Sequence, residues 1–485
     1  MSFPIVEEIL PVPEPVRCCE RLAGLPYRLL LDSAAGSARL GRYSFLTADP
    51  VAVVRAPNTR DGAAPRTDVV AAVRAALAPF TTDPVAGLPP FQGGAAGYVA
   101  YDWARTLERL PSARYDDLGL DDAVLGIYDW VVGWDHAASR AWIVSTGMPE
   151  SSPSVRRRRA EARAAQVRAW LEDGSGAAAP DLADASAAVP SSAGGGGLAP
   201  AYPVEGGWWD PRLAIRSSFT RAGYLQAIAR VRDYIVAGDI FQANLSQRFE
   251  AELGEPAWEL YLRLRARNPA PFAAFFDVPG CTVLSASPER FLHVDVNGRV
   301  ETRPIKGTRP RGVGPEHDAA LGLALAESDK DRAENLMIVD LMRNDLSRVC
   351  APGTVRVPEL FALERYATVH HLVSTVEGRL EPGSDALDLL RAAFPGGSIT
   401  GAPKVRAMEI IAEIEPSCRG VYCGSIGYLS VTGELDTNIA IRTVVVRGGR
   451  AYFSAGGGIV ADSVPEHEYL ETLDKARGII DALEV

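Results

Sequence analysis

The chain of 485 residues is long enough for two or three average domains, or for one large intertwined domain. Its net charge of -11 argues against a general binder of nucleic acid or other polyanions. The six cysteines show no spacing typical of zinc sites, and we find neither an export signal nor an apolar run of membrane-spanning length, so we expect a reduced, cytoplasmic protein outside the membrane.

The first 172 residues predict a mixed region of strands and helices. Apolar and β-branched runs indicate strands at Tyr27–Leu31 and Ile127–Val132. Helical periodicity appears at Val69–Leu77 and Ser154–Leu171. We therefore predict an N-terminal region covering residues 1–172.

Residues 173–210 differ in composition from both flanking regions. Gly, Ala, Ser and Pro dominate this stretch, which includes four consecutive glycines at 194–197. Such a segment cannot bury enough apolar surface to order itself, so we predict a flexible linker here.

Residues 211–485 alternate between helix and strand patterns and form the second predicted region. Thr220 is a candidate N-cap for a helix that ends at about Ala237. The further predicted elements are strands at Asn244–Glu252, Thr282–Ser285, Gly424–Val431, Asn438–Val446 and Arg450–Ser454, and helices at Asp329–Asn344, Asp385–Phe394, Val405–Ile414 and Pro465–Leu483. Strands in hairpin-like pairs predict an α+β fold with largely antiparallel sheets.

Lys306 stands out because it lies in a short segment with restricted backbone conformations. Pro304 fixes its own φ angle, and Gly307 tolerates backbone conformations closed to other residues. We predict a rigid turn at the end of a strand that holds the lysine in place. A surface lysine in the basic run 303–311 is the alternative interpretation.

The last predicted helix carries acidic residues on one face. Glu468, Glu471 and Lys475 are three and four residues apart, and a predicted glycine loop at 456–458 precedes the helix. Asp331 and Glu334 form a second acidic pair on another helix. If the two faces meet, their oxygens suit a hard cation such as Mg2+; otherwise each is an ordinary solvated helix face.

Three further polar residues are candidates for a site. Glu289 lies between two short strands, where catalytic groups are often exposed, although an ion pair with Arg290 is equally compatible with the sequence. Gln242 lies two residues before the predicted strand Asn244–Glu252 and is otherwise a polar residue on a strand face. His371 follows His370, so only one of the two histidines can face a given pocket if they lie on a strand.

These motifs together resemble the chorismate-utilising enzymes, the family of anthranilate, isochorismate, salicylate and aminodeoxychorismate synthases. The resemblance covers nearly all of residues 217–482. It rests on the segments Gly238–Phe249, Ser287–Phe291, Pro304–Thr308, Glu334–Asp345, Pro395–Lys404, Arg419–Tyr428 and Phe453–Ala476. It implies two packed, largely antiparallel sheets surrounded by helices, with residues 211–485 as the chorismate-binding catalytic domain.

The resemblance also assigns roles to residues of this chain. It implies that Glu334 and Glu471 bind Mg2+, with Glu468 and Asp331 nearby. The positions that match substrate-binding residues of the family are Arg442, Tyr422, Gly457, Gly458, Lys475, Ser398, His371 and Gln242.

The sequence Pro-Ile-Lys-Gly-Thr indicates which reaction of the family to expect. Members that aminate chorismate at C4 have this lysine, whereas anthranilate synthases have alanine. The resemblance therefore implies Lys306 as nucleophile and Glu289 as acid. Gln242 replaces the lysine that activates water in other members, so ammonia is the expected second substrate.

Partner and regulation follow from the same resemblance. The sequence contains no glutaminase nucleophile motif, so we expect ammonia from a separate glutaminase subunit. Leu31, Asp32 and Ser33 match a segment that lines a tryptophan pocket in relatives, or they form a plain buried strand end. The alternative functions are an anthranilate synthase component I and a non-catalytic sensor of chorismate or aromatic amino acids.

Overall fold

The computed structural model describes residues 4–34, 40–58, 67–173, 208–210, 215–366 and 369–484. Nearly all of the linker predicted at 173–210 lies outside these residues. The helices are α1 Pro15–Arg21, α2 Val69–Leu77, α3 Ala104–Leu107, α4 Pro153–Asp173, α5 Arg221–Val236, α6 Ala257–Arg267, α7 Pro315–Ala326, α8 Asp329–Ser347, α9 Ala386–Ala393, α10 Lys404–Ile414 and α11 Pro465–Leu483.

Strands make up the rest of the regular structure. In the N-terminal region they are β1 Ile5–Glu8, β2 Leu29–Asp32, β3 Tyr43–Thr47, β4 Ala52–Ala56, β5 Gly94–Val99, β6 Ala123–Tyr128, β7 Trp130–Asp135 and β8 Arg140–Ser145. The later strands are β9 Trp208–Asp210, β10 Ile215–Ser217, β11 Gln242–Glu252, β12 Phe272–Val278, β13 Cys281–Ser287, β14 Arg290–Val294, β15 Arg299–Thr302, β16 Ile305–Pro310, β17 Arg356–Arg365, β18 Val369–Arg379, β19 Gly401–Ala402, β20 Ser425–Ser430, β21 Leu435–Asn438, β22 Thr443–Arg447 and β23 Arg450–Ile459.

These strands form two antiparallel sheets. The larger sheet has the order β1-β8-β7-β3-β2-β12-β13-β22-β23-β11-β10-β9, with β19 paired to β11. The smaller sheet has the order β16-β18-β15-β14-β21-β20-β5-β6-β4, with β17 paired to β18. Helices surround the sheets, which confirms the predicted α+β fold with two packed, largely antiparallel sheets.

Aromatic side chains join the two sheets face to face. Phe45 of the larger sheet contacts Tyr428 of the smaller one with ring centroids 5.2 Å apart. Phe276 and Tyr98 form a second contact between the sheets at 6.3 Å. Each sheet contains strands from both sides of residues 174–207. The N-terminal and C-terminal regions are therefore intertwined, and the domain boundaries at 172 and 211 stay predictions.

Local signals located several helices correctly. Helices α2 and α11 have the predicted bounds. The Thr220 hydroxyl accepts a hydrogen bond from the Gly223 amide at 3.0 Å, so the predicted N-cap of α5 is confirmed. None of the helices in the described ranges is long and apolar enough to cross a bilayer.

The strand predicted at Ile127–Val132 is two strands, because Asp129 interrupts it. This residue lies between β6 and β7, and its carboxylate is buried. Arg159 and Arg163 of α4 contact it at 3.5 and 3.4 Å. The chain bends at Asp129, and the buried carboxylate there lies beside the two arginines that balance its charge.

The strand predicted at Asn438–Val446 is also interrupted. Strand β21 ends at Asn438 and β22 begins at Thr443. Arg442, just before β22, has a φ of +50°, which is rare for a residue with a side chain. The break gives this arginine an orientation that a continuous strand would not allow.

Lys306 lies within a strand, so the predicted turn is wrong. It belongs to edge strand β16 and pairs with Leu372 of β18. Gly307, with a φ of +77°, forms an irregularity there, and the strand continues beyond it. The glycine is required as predicted, but it makes a bulge instead of a turn.

The predicted glycine loop at 456–458 is also a strand. These glycines belong to β23 and pair with residues 244–246 of β11. A Cβ atom at Gly456 would lie 2.5 Å from the backbone oxygen of Leu245. The glycines therefore allow close approach of two strands.

Arg419 connects the fold to the site described below. Its buried guanidinium forms an ion pair with Glu415 at 2.7 Å. It also donates to the carbonyl oxygens of Ile399 at 2.9 Å and Asn244 at 2.6 Å. One side chain thus fixes the loop before β19 and the start of β11.

We predict that Arg419→Met lowers the free energy of unfolding by about 3–5 kcal/mol, because Glu415 would remain buried without its cation. Urea unfolding of the purified chain measures this. Arg157 and Glu161 form an exposed pair with the same four-residue separation, so Arg157→Met should cost less than about 1 kcal/mol. Equal losses in the two variants would contradict the prediction.

Candidate active site

A cavity of about 720 Å³ lies between elements of the two sheets. Strand β16 of the smaller sheet, strand β23 of the larger sheet and helices α8 and α11 contribute to its walls. The predicted site residues that line it are Glu289, Lys306, Asp331, Glu334, His371, Ser398, Tyr422, Arg442, Gly458, Glu468, Glu471 and Lys475. The fold therefore brings together most of the residues predicted from the sequence.

Glu289 is a buried carboxyl group between β13 and β14. Its side chain is 4% exposed and accepts hydrogen bonds from the Ser398 hydroxyl and from the Ile305 amide. Burial raises the pKa of Glu289 to about 7, although Ser398 and the Lys306 ammonium oppose this shift. The group can therefore hold a proton near neutral pH and donate it inside the cavity.

The Lys306 amine faces the same cavity. Its Nζ atom donates to the backbone oxygen of Ser398 at 3.1 Å. Burial lowers the pKa of Lys306, while the carboxylates of Glu334 and Glu289 act in the opposite direction. A lowered pKa increases the fraction of neutral amine, which is the nucleophilic form.

Carboxylates from two helices meet at one side of the cavity. Glu334 projects from α8, and Glu468 and Glu471 project from α11. The Lys330 ammonium lies 3.9 Å from a Glu334 oxygen and 3.2 Å from a Glu468 oxygen, and Lys475 lies 2.7 Å from Glu471. The two acidic helix faces, whose meeting the sequence leaves open, therefore do approach each other.

The electrostatics of these carboxylates are dominated by the lysines and by burial. Burial raises the pKa of Glu334, against the ammonium groups of Lys306 and Lys330. The Lys475 ammonium lowers the pKa of Glu471. Asp331 pairs with Arg309 at 2.9 Å, and its negative charge adds to the rise in the pKa of Glu334.

The carboxylates of Glu334, Glu468 and Glu471 have the chemistry that Mg2+ prefers. All three are oxygen donors, and a cation, the Lys330 ammonium, already lies between two of them. Within the described ranges, no group of three acidic, histidine or cysteine side chains has a geometry ready to hold a metal ion. The donor set fits Mg2+, but its members face lysines in this conformation.

Arg442 provides a cation for an anionic ligand. Burial lowers its pKa, and in the described part of the chain no carboxylate contributes to the electrostatics of its guanidinium. It lines the cavity together with Tyr422. A buried guanidinium without an anion suits bidentate binding of a ligand carboxylate.

The two adjacent histidines separate as predicted for a strand. His371 lines the cavity, and its Nδ1 atom is 2.9 Å from the Thr308 hydroxyl. Its Nε2 atom has no hydrogen-bond partner in the described residues. Burial, together with the Arg442 charge, lowers the pKa of His371 to about 3. His370 points elsewhere and contacts Asp318 of α7.

Gln242 and Gly457 are not among the residues that line the cavity, but both lie against residues that do. The Gln242 side chain packs so closely on Gly458 that a Cβ atom there would be 2.0 Å from the amide nitrogen. The same Cβ position is 3.5 Å from the Lys306 amine. A Cβ atom on Gly457 would lie 3.4 Å from a Glu468 oxygen. Both glycines thus give functional side chains room.

Leu31, Asp32 and Ser33 lie apart from this cavity, at the end of β2 in the larger sheet. Asp32 is buried and pairs with Arg265 at 2.5 Å. Ser33 donates to the backbone oxygen of Tyr43 at 2.5 Å. These contacts give Asp32 and Ser33 partners within the protein itself. The tryptophan pocket stays a prediction.

Comparisons with known proteins identify the family of this chain. The family model for chorismate binding enzymes matches residues 27–481. The chain belongs to this family. Aminodeoxychorismate synthase component 1 of Salmonella typhimurium is 43% identical over 469 residues, which cover 95% of this chain and 94% of that protein. Anthranilate synthase component 1 of Streptomyces coelicolor is 42% identical, with coverage of 94% and 83%.

A solved structure supports the same family fold. The crystal structure of anthranilate synthase component I from Streptococcus pneumoniae superposes with a TM-score of 0.73 at 31% identity. The alignment covers 91% of this chain and 93% of that chain. The fold expected from the motifs is thus confirmed by an experimentally determined relative.

Lys330, Thr308 and Asn244 line the cavity of this chorismate binding enzyme but are missing from the predicted set. Lys330 precedes Glu334 by four residues on a predicted helix, so a contact between them could have been proposed. Thr308 belongs to the Pro-Ile-Lys-Gly-Thr segment. Asn244 gives no such signal, because its position depends on the pairing of β11.

We predict that the stability difference between wild type and Glu289→Gln changes with pH. The raised pKa means that the folded state keeps a proton that the unfolded state loses between about pH 4.5 and 7. Over this window the wild type should lose stability relative to the variant, by about 3 kcal/mol in total. Urea unfolding from pH 5 to 8 measures this.

Glu301→Gln provides a partly buried control. Burial raises the pKa of Glu301, but its ion pair with Arg290 lowers the pKa by more. This carboxyl therefore titrates below the tested pH range. The difference between wild type and this variant should stay constant from pH 5.5 to 8. A constant difference for Glu289→Gln as well would disprove the raised pKa.

Proposed function

We propose that this chain is an aminodeoxychorismate synthase component I, which converts chorismate and ammonia to 4-amino-4-deoxychorismate. The observation that carries the proposal is the Lys306 amine, which faces the cavity beside the buried acid Glu289. The relatives named aminodeoxychorismate synthase component 1 support it through identity over nearly the whole chain. A binding protein without catalysis would need neither a nucleophile nor an acid.

Two sets of charged side chains that line the cavity suit the two carboxylates of chorismate. Arg442, with Tyr422 beside it, would bind the enolpyruvyl carboxylate, and Lys475 adds positive charge nearby. Glu334, Glu468 and Glu471 would hold Mg2+ at the ring carboxylate. Bound there, the metal supplies Lewis acidity and neutralises charge. Ser398 and His371 line the space between these groups.

The first chemical step uses Glu289 and Lys306 together. Glu289 donates its proton to the C4 hydroxyl, which leaves as water. The lone pair of the neutral Lys306 amine forms a bond to ring carbon C2, both ring double bonds shift by one position, and the C4–O bond breaks. Burial favours the required protonation state of both groups.

Ammonia completes the reaction in the second step. It forms a bond to C4, both ring double bonds shift back, and the C2–N bond breaks to release Lys306 as a free amine. The Glu289 carboxylate is in place to take the proton that ammonia loses. Ammonia is scarce at neutral pH, so we propose a separate glutaminase subunit as its source.

Product analysis tests the proposed function. The purified chain is supplied with chorismate, Mg2+ and an ammonium salt, and the products are identified by mass spectrometry. We expect 4-amino-4-deoxychorismate with its pyruvyl ether intact. Anthranilate together with released pyruvate would instead support the alternative function, which the relatives named anthranilate synthase at similar identity keep open.

We predict that Lys306→Ala lowers kcat/KM for C4 amination at least about 100-fold, because the variant has no nucleophile. Chorismate should still bind, with a Kd within about threefold of wild type, because other residues hold its carboxylates. Lys306→Arg keeps a positive charge but offers no neutral amine, so it should be similarly impaired. Normal turnover by either variant would refute a nucleophilic role.

A further inference from the structure

The Lys330 ammonium occupies the space between two carboxylates that belong to different helices. It is 3.2 Å from Oε1 of Glu468 on α11 and 3.9 Å from Oε1 of Glu334 on α8. The Glu468 side chain is almost fully buried and also accepts a hydrogen bond from the Ser463 hydroxyl at 2.7 Å. Lys330 therefore supplies the positive charge that joins these acidic groups across the helices.

A metal ion would need the same oxygens. Carboxylate oxygens coordinate Mg2+ at about 2.1 Å, far closer than the present contacts with the ammonium. A divalent ion bound to Glu334 and Glu468 would thus lie next to the Lys330 nitrogen, and the two cations would repel each other strongly at low dielectric constant. The ammonium and the metal cannot both use this pair of carboxylates.

Lys330 is able to leave, whereas the acids are not. Its side chain is 43% exposed, compared with 14% for Glu334 and 4% for Glu468. The long, flexible lysine stem can move its ammonium into water without a change in the backbone. Lys475, by contrast, pairs with Glu471 and also donates to the backbone oxygen of Gly456 at 2.9 Å.

We propose that Lys330 is an internal competitor for the metal site: its ammonium joins Glu334 and Glu468 in the metal-free protein, and Mg2+ must displace it to bind. This inference rests on the proposed function, because that function places the metal at these carboxylates. The competition sets the metal affinity and protects the metal-free site from repulsion between its carboxylates. Lys330 is a positioning residue and takes no part in bond making.

Removal of the ammonium should strengthen metal binding. In Lys330→Met, we expect the Kd for Mg2+, measured by titrating magnesium chloride into the metal-free chain in a calorimeter, to fall about three- to tenfold. The metal-free variant should also melt about 1–3 °C below metal-free wild type, because its carboxylates repel each other. Saturating Mg2+ should abolish this difference in melting temperature.

Two further variants separate local competition from general electrostatics. Lys330→Arg keeps a cation at the same position, so its Mg2+ affinity should stay close to that of wild type. Arg477 lines the same cavity but pairs with Asp474, so Arg477→Met removes one positive charge without freeing Glu334 or Glu468. Its Mg2+ affinity should change less than about twofold.

The outcomes distinguish this inference from the proposed function. If wild type binds Mg2+ and makes the aminated product, but folded Lys330→Met binds Mg2+ no more tightly, only the competition is disproved. An equal decrease of the Kd for Mg2+ in Arg477→Met would also disprove the competition, because the loss of any positive charge near the cavity would then explain the effect. If wild type binds no Mg2+ at millimolar concentration, both the metal role and the competition fail.

Discussion

Opposite charges buried in one cavity are the constraint on which the site depends. Removal from water disfavours the charged form of every group, so it raises the pKa of Glu289 and lowers that of Lys306 at the same time. The acid can thereby hold a proton near neutral pH, and the amine is moved toward its neutral form. A single physical cause thus shifts both pKa values in the direction that the proposed reaction needs.

The packing of the two sheets makes this burial possible. Lys306 lies on an edge strand of the smaller sheet, whereas Glu468 and Glu471 follow the strand β23 of the larger sheet. Aromatic contacts between the sheets, such as Phe45 with Tyr428, fix their relative position. The distance between the amine and the carboxylates is therefore a property of the whole core, since no local segment contains both.

The sequence predicts the features that depend on neighbouring residues and misses those that depend on pairing. The bounds of α2 and α11 and the cap at Thr220 follow from local periodicity and hydrogen bonding. For the glycines at 456–458, the neighbouring residues do not show whether the segment is a loop or a strand packed closely against another strand. The irregularity at Gly307 cannot be predicted from the sequence either, because it is a shift in the register of β16 on β18.

The site shows the same division between local and long-range information. The i, i+3 and i, i+4 spacings on α11 revealed its acidic face, and resemblance to a family named the residues across the chain. That two acidic faces meet, with Lys330 between them, depends on the packing of helices far apart in sequence. Replacement of this ammonium by Mg2+ adds only one positive charge at the carboxylates. Under the proposed exchange these acids would have a cation beside them in either state, which explains how three carboxylates can lie together before any metal binds.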